Sequence, residues 1–133
     1  MYLSAVLTAS LNFLLPYRNL ISMILFFSGI LIVLIAGYQF RLASTTVNPL
    51  TPDATSTLVT SGLYKYSRNP MYVGFLIFLI AWGVYLANLV AFVLLPLFVL
   101  FITRLQIIPE EQVLKALFSE QYSSYASKVR RWI

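Results

Sequence analysis

Long uncharged runs dominate the pattern of hydrophobic and polar positions. Residues 20–40 carry no charge and are long enough to cross a hydrocarbon core of roughly 30 Å at about 1.5 Å per residue. Residues 71–103 are also uncharged, but one helix of that length would measure about 50 Å and overshoot the bilayer. This run predicts a helical hairpin over about 71–86 and 88–106. Its turn falls at Ala87-Asn88, where the asparagine can satisfy freed backbone groups.

The two ends of the chain carry weaker patterns. Residues 1–15 are apolar but short, so they form either a thin first span or an interfacial helix, and we favour the span. Pro109 begins a tail helix, because proline is tolerated in the first turn and the next two carboxylates complement the helix dipole. Helical spacing then predicts that this helix is amphipathic. Its spaced positions are Val113, Leu114, Leu117, Phe118, Gln121 and Tyr125.

The composition assigns the chain to a class. The 133 residues are 60% hydrophobic and only 10% charged, as in an integral membrane protein. The absence of cysteine and histidine excludes disulfides, thiolate metal sites and Ser-His or Cys-His catalysis, and we predict no metal. We therefore expect an all-α membrane bundle of about four transmembrane helices, including the hairpin, followed by the amphipathic tail helix, in a single domain over residues 1–133.

The charges predict the orientation. Nine basic and four acidic residues give a net charge of +5. Under this layout Arg18 alone lies opposite the other basic residues, so by the positive-inside rule the crowded side is cytosolic. The loop 41–69 and the tail 104–133 then share that side and can form one site. The basic charge thus reflects a multi-pass topology, in the inner membrane if the chain is bacterial, and we expect no nucleic-acid partner. The crowded side holds Arg41, Lys65, Arg68, Arg104, Lys115, Lys128, Arg130 and Arg131.

A polar segment punctuated by glycines, residues 59–74, adjoins the apolar hairpin, and Glu110-Glu111 follows on its far side. Each feature has an ordinary explanation: the tyrosines as an interfacial belt, the basic residues as positive-inside anchors and the carboxylates as first-turn residues. However, neither belts nor anchors require Gly62, Asn69-Pro70 or Gly74. The combination favours a site for a polar ligand at the membrane boundary.

In this order and spacing, these elements resemble the integral-membrane methyltransferases of the isoprenylcysteine carboxyl methyltransferase and phospholipid methyltransferase type. The resemblance covers roughly residues 45–133 and is specific because several spaced elements agree. The matching elements are residues 57–64, Arg68-Asn69-Pro70-Met71-Tyr72-Val73-Gly74, the hairpin, Glu110-Glu111, and Phe118 with Tyr122, Tyr125 and Val129.

The resemblance implies that S-adenosylmethionine binds between the hairpin, the preceding loop and the tail helix. The loop would pass along the nucleoside, Glu110 would accept from the methionyl ammonium, and Arg68 would pair with the cofactor carboxylate or with Glu111. Gly74 would permit close approach of backbone or ligand. The implied cofactor-binding residues are Ser56, Thr57, Leu58, Val59, Tyr64, Arg68, Asn69, Pro70, Met71, Tyr72, Gly74 and Glu110.

Two positions depart from the family pattern. Asn69 stands where many relatives have histidine, and an amide cannot act as a base at neutral pH. Gln106 stands where the prenylcysteine enzymes carry a substrate-contacting arginine, and Arg104 lies two residues earlier. Both are candidate substrate contacts. The acceptor stays open between a prenylcysteine carboxylate, a lipid amine and another small lipophilic group. For an amine acceptor, Glu111 or Tyr72 is the candidate catalytic group that takes the proton.

The predicted function is S-adenosylmethionine-dependent methyl transfer to a membrane-soluble acceptor. The alternatives are a noncatalytic small membrane protein and a small-molecule transporter. Proton-coupled export needs an ionisable group inside a span, and none of the four acids lies there, which disfavours the transporter. A membrane reductase using a nicotinamide cofactor is disfavoured because the chain is short and offers few basic groups for a second phosphate. So small a bundle can also form a homodimer.

Overall fold

The computed structural model describes residues 1–43 and 57–133. Part of the predicted loop 41–69 and the predicted ligand residue Ser56 therefore lie outside the described residues, which resume at Thr57. Short 3-10 turns lie at Ala9–Leu11 and Gly62–Lys65, and a π-helical turn over Thr103–Ile107 joins the last two helices. The α-helices are α1 (Tyr2–Leu7), α2 (Arg18–Leu42), α3 (Pro70–Leu86), α4 (Leu89–Ile102) and α5 (Ile108–Lys128).

The main packing contact joins α2 and α3, which run antiparallel. Gly74 of α3 lies against Gly29 and Val33 of α2. A Cβ built on Gly74 would lie 2.5 Å from Val33 Cγ2 and 3.1 Å from the Gly29 carbonyl oxygen. One turn further along α3, Phe78 stacks edge-on against Phe26, with ring centroids 5.2 Å apart. The glycine predicted to allow close approach thus serves the approach of two helix backbones.

The predicted hairpin turn is confirmed. Ala87 has a φ of +48° and ends α3, and the side-chain oxygen of Asn88 accepts from the Val90 N–H at 2.9 Å, which caps α4. Asn88 is completely buried. Its amide group also donates to the Thr8 carbonyl at 2.9 Å and to Asn12 Oδ1 at 2.6 Å, so the N-terminal segment closes over the turn.

The prediction of a first span over residues 1–15 is wrong. Its only α-helix, α1, has six residues, about 9 Å, which is far too short to cross a bilayer. The hydroxyl of Thr8 bonds back to the Ser4 carbonyl, and Asn12 is drawn to Asn88, so the chain turns instead of continuing the helix. The segment packs on α4, and the count of four spans is not confirmed.

Two helical segments of the described chain are long and apolar enough to cross a membrane, Arg18–Leu42 and the continuous run Leu89–Lys128. The apolar helix between them, Pro70–Leu86, is shorter. In the most apolar stretch of 18 residues, only 17% of Arg18–Leu42 and 11% of Leu89–Lys128 is buried inside the protein. Core helices of a soluble protein hide their apolar surface, whereas these helices present it outward, as contact with lipid requires.

The tail helix α5 forms where predicted, but its amphipathic character is not confirmed. Ser119, at φ +44° and ψ −113°, breaks the helix, so the residues after it do not continue the spacing of those before it. Val113 and Leu117, predicted to pack, are 48% and 46% exposed. Beyond the break, Tyr122 and Tyr125 are buried against Leu58.

Candidate functional site

A cavity lies where the end of α2, the start of α3 and the helix α5 meet. Its volume is about 60 Å³, or about 520 Å³ when the space open to solvent at its mouth is included. The cavity is therefore a narrow cleft, lined by both polar and apolar side chains. Its walls are Phe40, Thr57, Leu58, Val59, Tyr64, Arg68, Asn69, Glu110, Glu111, Leu114, Tyr122 and Tyr125.

The segment leading to α3 enters the cavity because its side chains alternate between two hydrophobic clusters. Val59 packs with Ala36 and Tyr64 on the side of α2. Leu58 packs with Tyr122 and Tyr125 on the side of α5. These two adjacent buried residues thus hold the backbone of the loop between α2 and α5.

Gly62 makes the sharp turn that places Tyr64. Its φ is +62°, and a Cβ on it would lie 2.1 Å from the Gln39 side-chain nitrogen. Gln39 occupies that space because its Oε1 accepts from the Leu63 N–H at 3.0 Å. Tyr64 is consequently buried, with its hydroxyl 3.5 Å from the Ala36 carbonyl oxygen. Burial, with a smaller contribution from the Glu110 charge, raises the pKa of Tyr64 to about 12, so the phenol stays protonated near neutral pH.

Glu110 is the centre of one hydrogen-bonded group. Its Oε1 accepts from the Tyr72 hydroxyl at 2.9 Å and from Gln106 Nε2 at 2.8 Å. Tyr72 comes from the first turn of α3, and Gln106 lies one turn before Glu110 in the same helical run. Three residues singled out from the sequence therefore meet at one carboxylate oxygen.

Glu111 is the centre of a second, more strongly charged group. Arg131 donates to both of its oxygens, from Nε at 2.9 Å and from Nη2 at 2.8 Å, in a bidentate fork. Arg68 Nη1 lies 3.1 Å from Glu111 Oε1 and donates to the Tyr122 hydroxyl at 3.1 Å. Hydrogen bonding to Glu111 raises the pKa of Arg131 further above its ordinary value. The contact with Glu111 is one of the two pairings that the resemblance implied for Arg68, whereas the contact of Arg131 with Glu111 was not predicted.

The C-terminal residues return along the start of α3. The Arg68 N–H donates to the Arg130 carbonyl at 3.0 Å, and Asn69 Nδ2 donates to the Arg131 carbonyl at 2.9 Å. Trp132 Nε1 donates to Thr103 Oγ1 at 3.1 Å. Asn69, expected to hold the cofactor, thus also fastens the tail.

Most of the predicted site residues line the cavity, and some have other positions. Met71 packs in the Ala36 cluster, Pro70 is the buried first residue of α3, and Gly74 faces α2. The side chains of Arg104 and Gln106 are exposed, and neither they nor Tyr72 are part of the cavity wall. The predicted residues found in the wall are Thr57, Leu58, Val59, Tyr64, Arg68, Asn69, Glu110 and Glu111.

Sequence reasoning missed several members of the site. In the sequence, Tyr122 and Tyr125 belong to the matching motif but are not among the predicted site residues. Tyr122 accepts from Arg68, however, and the Tyr125 hydroxyl donates to the Tyr64 carbonyl at 2.6 Å. Arg131 was interpreted only as an anchor charge. Their spacing within the matching motif was the available signal for the tyrosines, whereas Arg131 carried none beyond its charge.

The sequence profile of the phospholipid methyltransferase family matches residues 17–121, which include both acidic residues of the site. The chain belongs to this family. Its relatives include an uncharacterised protein of Haemophilus influenzae, 40% identical over 63 residues, which cover 47% of this chain and all of that protein. No solved structure matches this family member.

Two named relatives of this family member are protein-S-isoprenylcysteine O-methyltransferases. The enzyme of Schizosaccharomyces pombe is 38% identical over 72 residues, which cover 54% of this chain and 30% of the enzyme. The enzyme B of Arabidopsis thaliana is likewise 38% identical over 72 residues, covering 54% of this chain and 36% of its own length. The match thus spans about a third of these enzymes. The family and these names support the predicted class, a membrane methyltransferase.

Proposed function

We propose that this protein transfers the methyl group of S-adenosylmethionine to a lipid-soluble acceptor at the membrane boundary. The observation that carries the proposal is the meeting of two acid-centred groups at one cleft, Tyr72 and Gln106 on Glu110, and Arg68 and Arg131 on Glu111. Family membership supports the same reaction class. The concentration of basic residues at this end of the helices supports a cytosolic position for the cleft.

The residues of the cleft fit the chemistry of that cofactor. Glu110 offers a carboxylate to an ammonium group, and the neutral phenol of Tyr64 and the apolar side chains of Leu58 and Leu114 offer a surface for a nucleoside. Arg68 Nε is buried and has no hydrogen-bond partner among the described residues, which leaves a charged donor for a ligand carboxylate. The cleft is narrow, so the cofactor must part these side chains when it enters.

S-adenosylmethionine supplies an activated methyl group on a sulfonium, so the protein's contribution is to position the reactants and exclude water. The buried tyrosines and the apolar wall of the cleft exclude water. For an acceptor that loses a proton, the Glu110 carboxylate, which accepts the hydrogen bond of the Tyr72 hydroxyl, is the best-placed base. The guanidinium groups of Arg68 and Arg131 occupy both oxygens of Glu111, which favours a positioning role for it over the predicted role as a base.

A lipophilic acceptor is supported by the exposed apolar surface of the helices that flank the cleft. The named relatives suggest a carboxylate acceptor by their O-methyltransferase names, and the family name suggests a phospholipid. Gln106 takes part in the Glu110 group, and as an uncharged amide it favours neither.

The test is calorimetric binding of S-adenosylmethionine and S-adenosylhomocysteine to the detergent-purified protein. We expect micromolar binding that falls at least tenfold in Glu110→Ala and less in Tyr72→Phe. Glu120→Ala, which removes an exposed carboxylate elsewhere on α5, is the matched control and should bind like the unmodified chain. Failure of well-folded protein to bind either ligand, with or without added lipid, would refute the proposal and favour a noncatalytic role.

A further inference from the structure

A second groove runs along the outer side of the hairpin between α3 and α4. It is a wide, open depression with a volume of about 710 Å³ and is mainly apolar, with Leu76 on α3 and Phe92 and Val99 on α4. Its polar end is formed by Thr103, Arg131 and Trp132. The groove is distinct from the cofactor cleft, because no residue lines both.

The length of the groove fits one lipid chain in one leaflet. Phe92 and Thr103 are separated by about 16 Å along a helix at 1.5 Å per residue. Half of a hydrocarbon core is about 15 Å thick. The groove is therefore about as long as the hydrocarbon layer of one leaflet is thick.

The polar end of the groove carries the positive charge of Arg131. Two guanidinium groups, those of Arg68 and Arg131, meet the single carboxylate of Glu111. Arg131 uses Nε and Nη2 for that carboxylate, and its Nη1 makes no hydrogen bond within the described part of the chain. Its side chain is 37% exposed, so the second edge of the fork is accessible to another anion.

The Glu111–Arg131 pair also forms the wall between the groove and the cleft. Glu111 lines the cleft, Arg131 lines the groove, and their nearest atoms are 2.8 Å apart. An anionic group bound by Arg131 would therefore lie next to the cleft, while its hydrocarbon chain would remain in the membrane.

We propose that Arg131 and this groove bind the methyl acceptor as an amphiphile, with an anionic phosphate or carboxylate on the open edge of the Arg131 guanidinium and one hydrocarbon chain along α4. The identification of the bound amphiphile as the methyl acceptor rests on the proposed function. The binding of the amphiphile is independent of that function, because binding can be measured without methyl transfer.

The experiment uses the full chain in a nonionic detergent with Trp82→Phe, which leaves Trp132 as the sole tryptophan reporter. Its emission is titrated with dodecyl phosphate, dodecanoate, dodecanol and inorganic phosphate. The first two distinguish a phosphate from a carboxylate group. The last two present the chain and the anion separately.

Two matched pairs of variants test the two parts of the site. Val99→Phe fills the groove, and Val93→Phe adds the same ring to the exposed face of α4 outside it. Arg131→Gln removes the proposed anion ligand, and Arg130→Gln removes an exposed neighbouring charge. S-adenosylmethionine affinity is measured calorimetrically for the Val99 and Val93 variants as well.

We expect dodecyl phosphate or dodecanoate to bind at least tenfold more tightly than dodecanol and inorganic phosphate. Val99→Phe and Arg131→Gln should each weaken that binding at least tenfold, and the two control variants less than twofold. Equal affinity for dodecanol, or equal losses in Val93→Phe and Val99→Phe, would overturn the inference. If amphiphiles behave as expected but S-adenosylmethionine does not bind, the proposed function fails while the anion site stands.

Discussion

The hydroxyl of Tyr72 donates a 2.9 Å hydrogen bond to Oε1 of Glu110, which joins the first turn of α3 to the first turn of α5. We expect a double-mutant cycle of Tyr72→Phe and Glu110→Gln to show coupling of about 1 kcal/mol in S-adenosylmethionine affinity, because Tyr72→Phe removes the donor of this hydrogen bond and Glu110→Gln removes the charge that strengthens it. Calorimetric titration of the two single variants and the double variant measures it. Additive losses would show that the two residues contact the ligand independently.

Gly62 should not tolerate a side chain. Gly62→Ala forces a Cβ into the Gln39 amide and keeps a positive φ that costs about 1–3 kcal/mol for other residues, so we expect a clearly lower melting temperature in detergent. Gly37→Ala is the control, because a Cβ there meets nothing within 4 Å and helix propensity favours alanine. An equal loss of stability in both variants would contradict the contact with Gln39.

Gly74 should be needed for the packing of α2 on α3. Gly74→Ala places a Cβ against Val33 and the Gly29 carbonyl, and we expect destabilisation of about 1–3 kcal/mol from overpacking. Adding Val33→Ala should restore part of the stability. Gly83→Ala, whose new Cβ would be 3.5 Å or more from its neighbours, should be nearly neutral in the same thermal unfolding assay.

Asn88→Ala should destabilise the protein by about 2–3 kcal/mol. The substitution removes a buried amide and leaves the Val90 N–H and the Thr8 carbonyl without that partner. Thermal unfolding of this variant beside Asn19→Ala, which truncates an exposed asparagine, measures the effect. Comparable melting temperatures for the two variants would show that the N-terminal segment does not hold the turn.

The raised pKa of Tyr64 predicts that the folded protein loses stability at high pH. Its folded-state pKa is raised from 10.0 to about 12, mainly by burial, so the tyrosinate is disfavoured in the folded state. The associated stability is fully present below pH 10 and is lost as the pH rises through about 12. Denaturant unfolding of Tyr64→Phe should show a shallower decline across this window, whereas Tyr66→Phe, at an exposed tyrosine, should retain the original decline.

Local rules recovered those elements that depend on neighbouring residues. The span over Arg18–Leu42 follows from uninterrupted apolar residues, and the turn at Ala87 and Asn88 follows from length and asparagine chemistry. The prediction of a first span was wrong because the Thr8 carbonyl and the Asn12 side chain accept hydrogen bonds from Asn88, which is distant in sequence. The tail helix forms, but its amphipathic character is not confirmed, because the backbone breaks at Ser119.

The chain's own residues, read in order, determined the apolar, helical class of the chain and the hairpin, because hydropathy and turn chemistry act over a few turns of helix. The resemblance to the methyltransferase family pointed to Arg68, Glu110 and Glu111 as candidate site residues. Only the tertiary structure decided that Tyr72 and Gln106 share Glu110 and that Arg131 closes on Glu111. Those contacts join residues that lie far apart in the sequence, on separate helices and near the C-terminus. Contacts between such distant residues leave no periodic pattern in the sequence, so the sequence alone could not predict them.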